Sequence, residues 1–248
     1  MDLNSFFRDN PRAAVAFSGG TDSAFLLYEA VRCGAEVRAY YVKTAFQPEF
    51  ELQDAMRLAK ELNIRLSVLK LDILSNPQIT ENPVNRCYFC KKCIFGAITK
   101  AAAEDGFTLL LDGTNASDDE KDRPGMRALR ELSVRSPLRE CGLTKDQIRK
   151  LSKEAGLFTW NKPAYACLAT RIPSGTPITE KALNNTEQAE KLLFSLGIHD
   201  FRVRILNGAA RIQVREEELP LILLHRNEIL DNLKKHYTAV LLDLEVRA

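Results

Sequence analysis

Ala13-Ala14-Val15-Ala16-Phe17 is a continuous apolar run, short enough for a strand buried on both faces, and a helical spacing from Ala24 to Arg32 follows it. Glu36 to Val42 reads as a second strand, Glu49 to Leu62 as a helix, and Arg65 to Leu71, which alternates cleanly, as a third strand. This order predicts an α/β fold with a doubly wound parallel sheet, in which ligands bind at the carboxyl ends of the strands. Residues 74–86, with Pro77 and Pro83, read as a loop, and the next segment leads into a helix reaching about Ala103. Thr108 to Leu111 is a short apolar strand that ends in the turn Asp112-Gly113-Thr114-Asn115. Gly125 to Leu132 is expected as a short helix and Arg135 to Leu138 as an extended piece. Thr144-x-x-Gln147 is a capping box opening a helix to Ala155, closed by Gly156.

From Thr179 the pattern changes. A helix from Thr179 to Leu196 ends at Gly197, and two alternating runs, Phe201 to Ile205 and Ala210 to Val214, flank Asn207-Gly208, a strong hairpin signal. A helix from Glu217 to Lys235 and a strand from Ala239 to Val246 complete a small α+β unit. The chain is therefore expected to hold two domains, residues 1–176 and 177–248. Arg202, Arg204 and Arg211 share one hairpin face only if the register allows it; otherwise they are a solvated strand face.

Composition narrows the functional classes. Hydrophobic residues make up 45% of the 248 and charged residues 27%, which suits a chain with a packed core. Lys and Arg number 35 against 33 Asp and Glu, a net charge of +2. That balance argues against a nucleic-acid partner while allowing one local basic pocket. No apolar run approaches a membrane span, and Met1-Asp2-Leu3-Asn4 lacks the charged and apolar regions of a signal peptide. No membrane partner and a cytoplasmic location are expected. The six cysteines, Cys33, Cys87, Cys90, Cys93, Cys141 and Cys167, then read as thiols or metal ligands rather than a disulfide framework. Cys33 itself fits a buried small apolar residue best.

The main chemical signal lies between the first strand and the first helix. Ser18-Gly19-Gly20-Thr21-Asp22-Ser23 has two glycines that let the backbone approach an anion, a helix N-terminus behind them, and two serine hydroxyls. No lysine follows the glycines, so the Walker A pattern is absent. The plainer reading is a Ser- and Gly-rich turn with Asp22 as an early-helix charge. S-G-G-x-D-S resembles the signature of the PP-loop ATP pyrophosphatases, which implies an adenine nucleotide alpha hydrolase-like fold, cleavage of ATP to AMP and pyrophosphate, and transfer of AMP to a substrate oxygen. Ser18, Gly19, Gly20, Thr21, Asp22, Ser23 and the turn residue Gly113 are the nucleotide-binding candidates.

Three other stretches carry candidate chemistry. Cys87, Cys90 and Cys93 are spaced three apart, share a face if helical, and lie beside Lys91 and Lys92, which favour thiolate. Asp118, Asp119 and Glu120 read either as Mg²⁺ ligands with the nucleotide phosphates or as a solvated acidic loop. Arg127, Arg130, Arg135 and Arg139 read as an anion pocket or as separate surface charges. Residues 160–175 have no steady period and hold Cys167 near Lys162 and Arg171 in sequence, a setting that lowers a thiol pKa if the cations lie close in space. Cys167 is either a nucleophile or ligand, or a structural thiol.

The phosphate loop is followed in order by N-R-C-Y-F-C-K, D-G-T-N, R-x-L-x-E-L-x-V-R-S-P-L and K-P-x-x-A-C-L-A-T-R-I-P, and this series, spanning roughly residues 10–215, resembles the LarE family. The resemblance implies an ATP-dependent sulfur transferase that makes the thiocarboxylates of the nickel-pincer nucleotide, the cofactor of lactate racemase. Its substrate would be pyridinium-3,5-biscarboxylic acid mononucleotide, its cofactors ATP and Mg²⁺, and its sulfur source sulfide or a donor protein. Two versions of the sulfur step occur in the family. In one, Cys167 gives up its own sulfur and is left as dehydroalanine. In the other, three cysteines hold a 4Fe-4S cluster that carries an extra sulfide. Cys87, Cys90 and Cys167 together favour the cluster version, with Cys93 a spare candidate. The resemblance further places Glu190, Arg202 and Arg204 near a substrate-phosphate and metal site, and implies a homo-oligomer, often a ring-like hexamer. The competing expectations are a PP-loop tRNA thiolase, a nucleotide-binding scaffold or sulfur carrier without adenylylation, and a zinc site at Cys87, Cys90 and Cys93, against which no His lies nearby.

Overall fold

The computed structural model describes residues 2–118 and 124–247, and its chain divides into two compact units. The first comprises Met1–Ile73 and Asn85–Ala164, the second Leu74–Val84 and Tyr165–Ala248.

In the first unit, helix α1 (Leu3–Asp9) leads into strand β1 (Arg12–Ala16), helix α2 (Thr21–Arg32), strand β2 (Glu36–Lys43), helix α3 (Glu49–Glu61) and strand β3 (Leu66–Lys70). A short helix, α4 (Pro77–Thr80), belongs to the second unit. Helix α5 (Arg86–Glu104), strand β4 (Leu110–Leu111) and helices α6 (Pro124–Glu131), α7 (Pro137–Glu140) and α8 (Lys145–Glu154) complete the first. Among the described residues its sheet has the order β3-β2-β1-β4, all parallel. The order reverses between β1 and β4, so the turns after these two strands flank the switch point where such sheets bind ligands.

The apolar runs have two faces because successive strand residues point oppositely. Ala13, Val15, Ala39 and Tyr41 pack with Phe6, Phe25, Leu26 and Leu58. Ala14, Tyr40 and Val42 pack on the other side with Phe95, Ile98 and Leu129. Each large side chain so buried contributes about 1.5–3 kcal/mol, and the sheet is covered on both faces as the unbroken run of β1 predicts. The capping box of α8 is complete, with both the Thr144 and Gln147 bonds present, and Gly156 closes the helix with φ +71.

Several predicted elements change at their edges. Residues 74–86 are not a plain loop: Asn76 caps α4 by accepting from the Gln78 N–H at 3.0 Å. Only Leu110 and Leu111 of the fourth strand pair with β1. Arg135 bridges Leu111, but Pro137 starts α7 rather than continuing an extended piece, since proline suits the first turn of a helix.

The second unit holds a 3₁₀ turn (Leu168–Arg171), helix α9 (Glu180–Ser195), strands β5 (Phe201–Leu206) and β6 (Ala209–Val214), helices α10 (Leu219–Leu224) and α11 (Arg226–Leu233), and strand β7 (Val240–Leu242). β5 and β6 form the hairpin that Asn207-Gly208 predicts, both turn residues having positive φ, and β7 joins β6 in parallel. The long helix expected from Glu217 to Lys235 instead starts at Leu219 and is interrupted at His225, which caps the end of α10 and the start of α11. Pro220 has no N–H for a helix interior and sits instead in the first turn of α10. Asn82 holds α4's segment within this unit. Its buried amide donates to the carbonyls of Ile172 at 3.3 Å, Pro173 at 2.8 Å and Thr176 at 3.1 Å.

Candidate functional site

The phosphate loop spans the end of β1 and the start of α2. Gly19 takes φ +74, open to glycine at little strain, and a Cβ there would lie 2.9 Å from the Glu51 carbonyl oxygen. Ser18 Oγ accepts from the Gly20 N–H at 3.3 Å and lies 3.0 Å from Ser23 Oγ, which donates to the Gly20 carbonyl at 3.2 Å. The loop is thus closed on itself by two hydroxyls, while the helix behind it supplies the partial positive charge that an anion needs. Thr21 is turned away: its buried hydroxyl donates to the Thr159 carbonyl at 2.8 Å. Gly113 approaches from the turn after β4, where a Cβ would stand 2.7 Å from the Ser23 nitrogen. Its neighbour Asp112 is filled by the hydroxyls of Ser136 at 2.6 Å and Thr114 at 2.5 Å. The D-G-T-N turn is therefore a rigid wall of the loop.

Two lysines that sequence spacing does not connect with the loop complete it. Lys162 Nζ donates to the Gly19 carbonyl at 3.1 Å and to Asp54 at 2.6 Å. Lys145 Nζ donates to Asp22 Oδ2 at 2.7 Å, whereas Asp22 Oδ1 is buried with no hydrogen-bond partner among the described residues. An unpaired carboxylate oxygen beside a phosphate loop is of the type Mg²⁺ prefers, so the residues present suit a nucleotide with its metal. Of the acidic run proposed for Mg²⁺, Asp118 accepts from the Asn115 N–H at 3.0 Å, and Asp119 and Glu120 lie outside the described residues. Arg127, Arg135 and Arg139 engage separate partners, namely Glu131, Glu140 and the Asp118 carbonyl.

All six cysteines are thiols outside any disulfide. Cys87, Cys90 and Cys93 lie near the start of α5, Cys87 exposed and the other two half-buried. Cys167 belongs to the second unit, half-buried, at the N-cap of the 3₁₀ turn. The thiols are chemically suited to iron, yet among the described residues no three or more His, Cys, Asp or Glu are gathered to hold a metal ion. Cys33 and Cys141 are half-buried, and burial pushes both thiols up from their ordinary pKa. Of the two cations near Cys167 in sequence, Lys162 bonds Gly19 and Asp54, and Arg171 bonds Glu190 and Thr170.

In the second unit, Arg204 pairs directly with Arg211 across the hairpin, and Arg202 is two residues back on the same strand, so the three share a face. They are not a solvated row. Arg202 is buried, stacks 5.3 Å from the Tyr165 ring centroid, and donates to the Phe201 carbonyl at 2.5 Å. Burial, then the charges of Arg171 and Arg247, bring its pKa down to about 10; burial also lowers that of Arg204. Such crowding of cations is relieved by an anion. Glu190, by contrast, has its carboxylate filled by protein donors: Arg171 Nε at 2.7 Å and Nη2 at 3.3 Å, the Val203 N–H at 3.0 Å, and the Tyr165 hydroxyl.

Comparison with known proteins gives this geometry a family. The model of the queuosine biosynthesis protein QueC matches residues 12–93, the span that includes the phosphate loop. The chain is 37% identical to an uncharacterized protein of Synechocystis sp., over 88% of this chain and 82% of that one. It is 36% identical to the pyridinium-3,5-bisthiocarboxylic acid mononucleotide synthase of Lactiplantibacillus plantarum, over 88% of this chain and 79% of the relative. A tRNA-specific 2-thiouridylase, MnmA of Pseudothermotoga lettingae, is 29% identical over 66% of this chain and 57% of its own length. With a phosphate loop at the switch point of a parallel sheet and this degree of identity over most of both chains, the protein belongs to the pyridinium-3,5-bisthiocarboxylic acid mononucleotide synthase family, the LarE family.

Proposed function

We propose that the chain is an ATP-dependent sulfur transferase that converts a carboxylate of pyridinium-3,5-biscarboxylic acid mononucleotide to a thiocarboxylate, towards the nickel-pincer nucleotide of lactate racemase. One observation carries this reading: the braced, glycine-lined phosphate loop of a PP-loop enzyme in a chain 36% identical to the named synthase. A carboxylate is a poor acyl electrophile. Its oxygen attacks the α-phosphorus of ATP, pyrophosphate leaves, and the resulting acyl adenylate carries AMP as a good leaving group. Sulfur then displaces AMP at the carbonyl carbon. The N–H groups of Ser18 to Ser23 and the hydroxyls of Ser18 and Ser23 hold the phosphates, and preorganised donors of this type stabilise charge developing in the transition state. Mg²⁺, held in part by Asp22, supplies neutralisation of that charge.

Cys167 is assigned the sulfur step. Following the family resemblance, and because soft thiolates suit iron, Cys87, Cys90 and Cys167 are assigned as the ligands that would hold a 4Fe-4S cluster, which when bound would supply an exchangeable sulfide. If Cys167 is instead sacrificed, its thiolate displaces AMP to form a thioester. Loss of the α-proton then breaks the Cβ–S bond, releasing the thiocarboxylate and leaving dehydroalanine. Arg202 and Arg204 are assigned to the anionic group of the substrate, supported by the burial of Arg202, the half-burial of Arg204 and the crowding of both by the charges of Arg171 and Arg247. A homo-oligomer, a cytoplasmic location and sulfide or a donor protein as sulfur source complete the proposal. Among the described residues no helix is long and apolar enough to cross a membrane.

Pyrophosphate release on adding ATP, Mg²⁺ and the pyridinium nucleotide tests the reading. It is expected to require the nucleotide substrate and to survive Cys167→Ala, which abolishes thiocarboxylate formation. ATP consumption that depends on tRNA instead would favour the 2-thiouridylase reaction and overturn it.

A further inference from the structure

Arg171 is the largest of the wholly buried side chains, 1% exposed, and its partner Glu190 is 2% exposed. A buried ion pair is a poor stability device, because desolvation offsets the attraction and apolar replacements often serve as well. The connections of this pair point to a different use. Arg171 reaches Glu190 through two nitrogens, Nε at 2.7 Å and Nη2 at 3.3 Å, and its third, Nη1, donates to Thr170 Oγ1 at 2.7 Å. That hydroxyl donates onward to the Cys167 carbonyl at 2.8 Å, which also accepts the Thr170 N–H at 2.9 Å. On the other side, Glu190 accepts from the Val203 N–H of β5, between Arg202 and Arg204. Arg204 Nη1 closes the circuit on the Thr170 carbonyl at 2.8 Å. The Tyr165 ring lies under both guanidiniums, 4.9 Å from Arg171 and 5.3 Å from Arg202, and its hydroxyl donates to Glu190.

We infer that Arg171 and Glu190 are a positioning pair, tying the backbone of the Cys167 turn to the strand that carries Arg202 and Arg204. This rests on the reading that Cys167 performs the sulfur step and that the two arginines hold the substrate's anionic group. Neither member of the pair touches substrate. The three Arg171 nitrogens and both Glu190 oxygens are used inside the protein, and a shared anchor sets where the thiol stands relative to the bound anion. Misplacing a reacting group by about 1 Å costs up to roughly 100-fold in rate, so a rigid strut here has a kinetic purpose that packing alone lacks.

The test measures thiocarboxylate formed per pyrophosphate released, at saturating ATP and pyridinium nucleotide with sulfide supplied, for the wild type, Arg171→Lys and Thr170→Val. Lysine keeps the charge but cannot make the two-pronged contact and also reach Thr170. Valine keeps the shape and the ion pair but removes the hydroxyl link to Cys167, so it remains informative if the lysine variant fails to fold. The expected result is a ratio lowered roughly 10- to 100-fold in Arg171→Lys, and lowered in Thr170→Val, with pyrophosphate release per folded chain nearly unchanged, because the uncaptured acyl adenylate hydrolyses. An unchanged ratio in both variants overturns the inference. Proportional loss of both products also overturns it, since that is the mark of a purely structural pair. A wild type that yields neither product contradicts the underlying function instead.

Discussion

A methyl group added at Gly113 probes how tightly the turn after β4 is pressed against the phosphate loop. The Cβ of Gly113→Ala would stand 2.7 Å from the Ser23 nitrogen, 3.0 Å from the Ser23 Cα and 3.2 Å from the Asp22 carbonyl carbon. All three are backbone atoms at the start of α2, so no side-chain rotation can make room. Unstrained heavy-atom contacts sit at roughly 3.5–4 Å, which requires the turn and the helix to part by about 0.8 Å. Overpacking of this kind costs about 1–3 kcal/mol. Because the same movement displaces the N–H groups that face the phosphates, substrate-dependent pyrophosphate release should fall by about 10- to 100-fold. Gly96→Ala is the matched control. It lies inside α5 with nothing within 4 Å of the added Cβ, and a helical Gly→Ala change there stabilises by about 0.5–1 kcal/mol. Urea denaturation of both variants, with ATP affinity measured alongside, reads the two effects separately. A Gly113→Ala protein as stable as Gly96→Ala, with undiminished ATP affinity, would refute the close-packed wall.

Other predictions follow from single contacts. Asp22→Ala removes the buried oxygen beside the loop and leaves Lys145 without its 2.7 Å partner; AMP formation should drop by at least tenfold, on the order of one lost charge-assisted contact, and an unchanged rate under initial-velocity conditions contradicts the assignment. Tyr40 donates to Asp105 at 2.7 Å, and burial followed by this bond pushes its pKa up to about 12. Tyr40→Phe should cost about 0.5–1.5 kcal/mol at neutral pH. A phenol that ionises more easily unfolded than folded loses stability as pH rises, so the gap between wild type and Tyr40→Phe should narrow from about pH 10 to about pH 12. A gap constant across that window in pH-dependent denaturation opposes the assignment. Iron and acid-labile sulfide in protein purified without oxygen should be present in the wild type and lost in Cys87→Ala and in Cys90→Ala; iron-free protein that transfers sulfur once per chain and ends with dehydroalanine at 167 supports the sacrificial route instead.

The parallel sheet was legible because its strands carry the signal locally: Ala13, Ala14 and Val15 of β1 are buried on both faces, and two glycines follow the strand at the required turn. Asn207-Gly208 announced the hairpin in the same local way. The bracing of the loop was not legible. Lys145, the first residue of α8, meets Asp22 across 123 positions and Lys162 meets Gly19 across 143, and neither lysine carries a local signal that says which distant oxygen it will reach. Arg171 illustrates the same limit from inside the protein. In sequence it reads as a cation beside a cysteine, whereas tertiary packing buries it and commits it to Glu190. The start of α10 at Leu219 rather than Glu217 was visible in principle, because Pro220 suits the first turn of a helix and not its interior, whereas nothing local marks the interruption at His225.

The most direct test of the account is mass spectrometry of the pyridinium nucleotide after incubation, without oxygen, with the protein, ATP, Mg²⁺ and sulfide, and with AMP and pyrophosphate counted in parallel. The account predicts exchange of a carboxylate oxygen for sulfur, one AMP and one pyrophosphate for each exchange, and no product from Cys167→Ala. A nucleotide whose mass is unchanged while ATP is consumed, or sulfur appearing in tRNA rather than in the nucleotide, would contradict it.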